Sequence, residues 1–433
     1  MKIKKPKRFI RAAAAVTIVG LGLALVGCSS HASSTPDTSK PVTINYWGWV
    51  PGVQKLVTEW NAKNPDIHVD YSALSAGDSA TFSKITTAAK AGDGPDLVQA
   101  DVKWVPSLIP YAKDVTSEAA QYKKNYAAGA WSNVTISGVT YGLPQDSGPM
   151  IMYYNKAAFA QYGLAVPTTW DQFAAESKQL SAQHPGTDLG SLSSDDVESF
   201  ESYVQQAGGK WWSINGDSWK VDTTSAASTK VANYWQSLLD AKAVSTTNRW
   251  DPSYSNALAN GKILSVIGAA WQAPLIASNA AASSGKWSVA PMPQWKSGQS
   301  VSANNGGSQL MVLQGSKHSA QALKFANWLD TNVSGLLKLG LFPAATTQKI
   351  QTPAAIEKFF GGADVYSLLS KAATNVKTQW LFPPIYTTVG PTNSDEVAGV
   401  LSGNGTLPDL LTQVQSDSLS AFKSAGISAK ASN

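Results

Sequence analysis

One cysteine, Cys28, stands in 433 residues, which rules out an internal disulfide framework and any cage of thiolates around zinc. The four histidines, His31, His68, His184 and His318, lie far apart in the chain and form no metal-ligand pair of the HExxH kind. No G-x-S-x-G elbow and no glycine-lysine phosphate loop occurs, so neither acyl transfer nor ATP hydrolysis by those routes is expected. Charge is scarce: 15% of residues are charged, against about 25% in an average soluble protein, and small residues fill the difference. After the first 27 residues no apolar run is long enough to cross a membrane, and no internal repeat is visible.

The N-terminus carries what the remainder lacks. Residues 1–11, MKIKKPKRFIR, hold six basic groups and no acid, and residues 12–26 are apolar for 15 positions. That length is short for a membrane span and right for a signal-peptide core. Leu25-Val26-Gly27-Cys28 follows; a small residue before cysteine at the end of such a core resembles the bacterial lipobox. The expectation is a signal peptide over 1–27 and Cys28 as a lipidated N-terminus. More than one acyl chain would make that anchor stable, since a single chain binds membranes only marginally. Residues 28–41, small, polar and proline-punctuated, read as a flexible tether. Processing also resets the charge. Of 34 basic residues, six (Lys2, Lys4, Lys5, Lys7, Arg8, Arg11) leave with the peptide, so 28 basic residues face 29 acidic ones. A chain near −1 gives no electrostatic argument for nucleic acid.

About 390 residues remain, too many for one compact core and suited to two domains. Alternation marks a strand over 42–49, and apolar spacing marks a helix over 53–64. A strand over 67–72, a helix over 81–91 and a strand ending at Asp101 follow. This β-α-β-α-β order predicts a parallel sheet with right-handed crossovers, and Asp101 and Trp104 fall where ligands sit in open α/β sheets, past a strand's carboxyl end. Residues 141–173, YGLPQDSGPMIMYYNKAAFAQYGLAVPTTWDQF, hold a glycine-proline bend and an apolar strand over 150–154. A short helix over 156–162 closes at Gly163, and a second helix opens behind Thr168-Thr169.

This stretch resembles the segment where bacterial extracellular solute-binding proteins pass between lobes: a YG-hydrophobic-P-x-D motif, a YYNK strand end, then G-x-x-x-P-x-TW-x-x-F. The resemblance extends to Gly94-Pro95-Asp96-Leu97-Val98, to Gly261-Lys262 leading to Trp271, to Trp287-Ser288-Val289-Ala290-Pro291-Met292-Pro293, to the strand from Gly306-Gly307, and to Phe342-Pro343-Ala344. It covers nearly the whole chain after the tether and identifies a sugar-binding, maltose-binding-protein-like lipoprotein of an ABC importer. It implies a two-lobed α/β fold with a hinge and an interlobe cleft. The lobes expected are 42–146 with 303–345, and 147–302 with 346–433, hinged near Asp146, Asn304 and Ala345. The partners implied are a carbohydrate and separate permease and ATPase chains; no cofactor, metal or catalytic residue is assigned, and the protein is expected to be a monomer held on the outer face of the cell membrane.

Sixteen tryptophans suit that ligand, because indole faces stack on the C–H faces of sugars while carboxylates and amides take the hydroxyls. Trp60, Trp170, Trp235 and Trp328 lie at helical spacing and read as core. Trp47, Trp49, Trp271 and Trp380 follow strand ends or lie in Gly/Pro-rich loops and are candidate platforms, with Trp104, Trp211 and Trp212 behind them. Asp101 and Asp146 are the candidate hydroxyl acceptors, Gly306 and Gly307 could let the backbone approach a ligand, and Phe342 completes the set. Paired carboxylates among aromatics also suit a glycoside hydrolase, so a lipid-anchored hydrolase is the alternative.

Overall fold

The computed structural model describes residues 41–75 and 79–432; the expected signal peptide over 1–27, Cys28 and nearly all of the expected tether lie outside the described residues. The protein is a mixed α/β, two-lobed molecule. Strands β1 (Val42–Gly48), β2 (Ile67–Ala73) and β3 (Leu97–Asp101) form a parallel set with β1 in the middle. The helix Val53–Lys63 crosses from β1 to β2 and buries Val53, Val57 and Trp60 against the sheet. The Trp60 indole also donates to the Ile67 carbonyl, at 3.0 Å, so this aromatic is core, as its helical spacing predicts. Two small strands, β4 (Thr135–Ile136) and β5 (Val139–Thr140), pair as a hairpin.

Strand β6 (Gly142–Asn155) is 14 residues long, whereas the apolar run predicted only its second half. Three further strands line up with its two halves. Residues 142–149 pair antiparallel with β11 (Asn304–Val312), which pairs in turn with β3. Residues 150–155 lie instead between β9 (Ser265–Ala269) and β10 (Trp287–Ala290). The strand thus passes from one lobe's sheet into the other's. The glycine-proline start is part of the strand because the ladder is irregular there: the register slips between Ser308 and Gln309 opposite Asp146 and Pro144, and a proline without an N–H is tolerated at such a bulge. Gly148 meets the crossing most closely, since a Cβ there would lie 1.9 Å from the Asn305 carbonyl oxygen. The helix Lys156–Tyr162 follows, capped by the Asn155 side chain and closed by Gly163 at φ 65°. Next, Trp170–Gln183 opens with a Thr169/Gln172 capping box.

The second lobe adds the hairpin β7 (Trp212–Asn215) and β8 (Ser218–Val221), on which β13 (Ala429–Ala431) pairs in parallel. Its interior is largely aromatic. Trp170 touches Phe173, Tyr203, Tyr234, Trp235 and Trp295 at ring separations of 5.4–5.9 Å. The short β12 (Phe342–Pro343) pairs with Asp146 and Ser147 at the crossing. Among the described residues no helix is long and apolar enough to cross a membrane.

Candidate functional site

A cavity of about 1030 Å³ opens where β6 and β11 cross, walled by both lobes. Its floor is the start of β11. Gly306 and Gly307 adopt φ 79° and 116°, left-handed values that glycine takes at little cost, and the ladder register shifts across them. They turn the backbone into the cavity wall beside Asp146.

The electrostatics of this wall are crowded. Lys103, just beyond β3, forms an ion pair with Glu198 at the start of the helix Val197–Gln206 and lies 4.0 Å from Asp101. Burial pulls the Lys103 pKa down, but Glu198 and Asp101 outweigh it, so the ammonium is held above its ordinary range. The reverse holds for Glu198: burial pushes it up and Lys103 wins, leaving it below the usual carboxylate value. For Asp101 burial dominates and raises the pKa despite Lys103. Asp146 is pushed up to about 7 by burial, against the hydrogen bond it accepts from Ser308. Behind this wall Arg249 and Asp196 form a buried pair at 2.5 Å, and the Asn305 amide reaches Ser199 at 2.9 Å. The Ser202 hydroxyl donates to the Asn304 carbonyl at 2.7 Å and the Ser107 hydroxyl to the Pro384 carbonyl at 2.8 Å.

Of the residues predicted for the site, Asp146, Gly306, Gly307, Phe342 and Trp380 line the cavity. Phe342 is 5% exposed and lies parallel to Tyr366, so it presents little of its face to the space. Trp380 stands between the cavity and the rings of Trp211 and Trp212, and its indole N–H has no partner among the described residues. Asp101 sits next to the wall through Lys103. Trp271 is half-buried at its edge, donating to the Asn305 carbonyl at 3.1 Å and stacking on Trp250 at 5.7 Å. Four expectations need correction. Trp212 is fully buried and donates to Ser418; Trp211 is likewise core, donating to Ser228. Trp104 is 3% exposed beneath Trp49 and Phe82. Trp47, with the Lys84 ammonium 4.8 Å from its ring centre, packs on the same small core and is not among the cavity's lining residues. A strand end or a glycine pair brings a ring near the surface, but neighbouring helices then cover it.

The cavity's polar lining also includes Glu201, Gln205, Asn304, Asn305 and Gln309; of these only Asn304 is marked from sequence, as a hinge position. Nothing in a run of ordinary polar letters distinguishes the others. Among the described residues no group of histidine, cysteine and carboxylates is arranged to hold a metal ion.

A pocket between two sheet-based lobes, floored by a glycine-bent crossing strand, is a solute trap in form. The profile described as bacterial extracellular solute-binding protein matches residues 47–333. The chain belongs to that family. Its relatives include the arabinooligosaccharide-binding protein of Bacillus subtilis (strain 168), 23% identical, covering 75% of this chain and 77% of that protein. The lactose-binding protein of Rhizobium radiobacter is 26% identical over 77% of this chain and 82% of that protein. Among solved structures, the galacto-N-biose/lacto-N-biose I-binding protein of the ABC transporter from Bifidobacterium longum, in complex with lacto-N-biose, superposes with a TM-score of 0.86. It is 34% identical and covers 90% of this chain and 99% of that one. Family and relatives are binding proteins rather than enzymes.

Proposed function

We propose that this member of the solute-binding family is the sugar-capturing component of an ABC importer, taking a neutral di- or oligosaccharide into the interlobe cavity. The observation that carries the reading is the 1030 Å³ cavity shared by both lobes, in a chain that aligns along 90% of its length with a structure holding lacto-N-biose. Its lining of half-buried aromatics and buried carboxylates suits hydroxyl-rimmed, uncharged rings. Lys377 is the cation of the lining, and Lys103 behind it is already paired with Glu198, so little free positive charge is left to hold an anionic sugar.

The lobes in this reading are 42–146 with 303–345 and 147–302 with 346–433, hinged near Asp146, Asn304 and Ala345. A ligand that contacts both walls gains more from the closed form than from the open one and shifts the population toward it. A micromolar site needs about −8 kcal/mol, within reach of a few stacking and hydrogen-bonding contacts. The closed monomer would deliver its sugar to membrane permease chains driven by a separate ATPase. Cys28, lipidated after cleavage at Gly27, would hold it on the outer face of the cell membrane; Cys28→Ser should release the protein into the medium, and retention would remove the anchor.

The test is a thermal-shift and calorimetric screen of residues 29–433 against lacto-N-biose, β-1,6-galactobiose, lactose, maltose and arabino-oligosaccharides, with product analysis. A saturable rise in Tm with intact sugar supports the reading. Cleaved sugar would make the protein a hydrolase with Asp101 and Asp146 as its carboxyl pair, and no shift with any sugar would overturn the ligand class.

A further inference from the structure

Most polar side chains around the crossing strands satisfy one another. On one face of the sheet Gln99 donates to Gln145 at 2.8 Å, Ser308 bonds both Gln145 and Asp146, and Gln145 donates to Asp330 at 3.2 Å. On the Val197–Gln206 helix, Glu198 holds Lys103, and Gln205 accepts from the Asn304 N–H while donating to the Thr378 carbonyl, both at 2.8 Å. Two buried residues in the cavity lining break this pattern. Gln309 lies one step beyond Ser308, on the opposite face of β11, since successive side chains alternate. It is 2% exposed, and neither its amide oxygen nor its amide nitrogen has a partner among the described residues. Glu201 is also 2% exposed; one oxygen accepts from the Tyr386 hydroxyl at 3.1 Å, and the other has no partner.

Desolvated polar groups without partners are costly and rare in native proteins. Buried polar atoms without partners also occur elsewhere, as at Asn393 and Asp330, but at this cavity they stand on both walls: Gln309 on the strand that pairs with Ala100 in the first lobe's sheet, Glu201 on a second-lobe helix. We infer that Gln309 and Glu201 are specificity-determining residues that grip the same solute from opposite lobes, Gln309 as both donor and acceptor and Glu201 through its free oxygen. A hydroxyl-bearing ligand supplies both kinds of partner at once, so the two side chains read hydroxyl positions where the aromatic faces read only shape. A site built this way rejects an analogue lacking the matched hydroxyl more strongly than an apolar pocket rejects a missing methylene. The inference rests on the proposed sugar-binding function for its ligand class, and on the buried unpaired atoms for its residues.

The test uses residues 29–433 with Gln309→Leu and Glu201→Gln, titrated by calorimetry with lacto-N-biose, lactose and a set of monodeoxy lactoses. Each variant should lose about tenfold or more in affinity for the parent sugar. One monodeoxy analogue per variant should bind wild type and variant equally, because the lost hydroxyl and the lost side chain are the two ends of one bond. Losses equal for parent and every analogue would overturn the inference. Ligand-free melting is the independent readout. Removing an unpaired buried amide should leave Tm unchanged or raise it, and a fall of several degrees would assign Gln309 to the architecture instead. If wild type binds no sugar in the set, the sugar reading fails on its own. An unchanged or raised Tm for Gln309→Leu would then keep the residue as a contact for another solute, and a fall would remove it.

Discussion

The tryptophans of the second lobe's interior and those around the cleft are chemically the same residue used in two ways. Trp170, Trp211, Trp212 and Trp235 are at most 1% exposed and meet other rings mostly edge to face. Three of the four indole N–H groups are satisfied inside the lobe, by Gln206, Ser228 and Ser418. Around the cleft, Trp271 and Trp380 are half-buried; Trp49 is half-buried too, but it packs edge-on against Trp104 and is not among the cavity's lining residues. Trp271 spends its N–H on a backbone carbonyl of the bent strand, and Trp250, 60% exposed, lies stacked upon it. Interior rings fill volume and close their own hydrogen bonds. Of the half-buried rings, Trp380 leaves its N–H without a partner among the described residues.

Substitutions should separate these two populations. Trp170→Ala removes a fully buried ring and a hydrogen bond to Gln206, and the cavity left behind should cost about 3–5 kcal/mol of stability in chemical denaturation. If the loss is under about 1 kcal/mol, the lobe repacks and the distinction weakens. Trp271→Ala should do the opposite, weakening sugar binding at least tenfold, about 1.4 kcal/mol, with Tm nearly unchanged. A large fall in Tm with unaltered affinity would move Trp271 into the interior set.

The pH dependence sharpens the contrast from the polar side. Asp146 has its pKa raised from 3.8 to about 7 in the folded protein, chiefly by burial. The native state therefore binds this proton more tightly than the unfolded chain does. Its contribution to stability is complete below about pH 4 and is lost as pH rises through about 7. Asp146→Asn, uncharged throughout, should flatten the decline in ligand-free stability between pH 5 and 8; an unaltered slope would mean that Asp146 titrates as an ordinary surface acid. The smallest effect is expected at Trp250. With 60% of its surface in water, Trp250→Ala should change stability by less than about 0.5 kcal/mol. Any change in affinity there would show that the outer ring of the Trp250–Trp271 stack steadies the inner one.

Local elements were legible wherever a short-range rule governs them. The first three strands and their crossing helices follow alternation and helical spacing, and Asn155, Gly163 and Thr169 cap helices where cap chemistry places them. Family membership was legible because its motifs are strings of glycine, proline and aromatic residues whose backbone demands are local: a Cβ at Gly142 would lie 2.1 Å from the Leu310 carbonyl oxygen. The role of an individual ring was not legible in the same way. Trp212 follows a glycine pair and so looks available, yet its N–H is taken by Ser418, 206 residues later in the chain.

The sequence by itself determined the α/β alternation, the apolar half of the crossing strand and the aromatic supply, because periodicity, caps and steric limits act over a few residues. Only the tertiary structure decided which rings are interior and which face the cleft, and it alone separated Gln309 from Ser308. Burial and hydrogen-bond satisfaction depend on partners brought from distant segments, and no local pattern records whether a partner arrives.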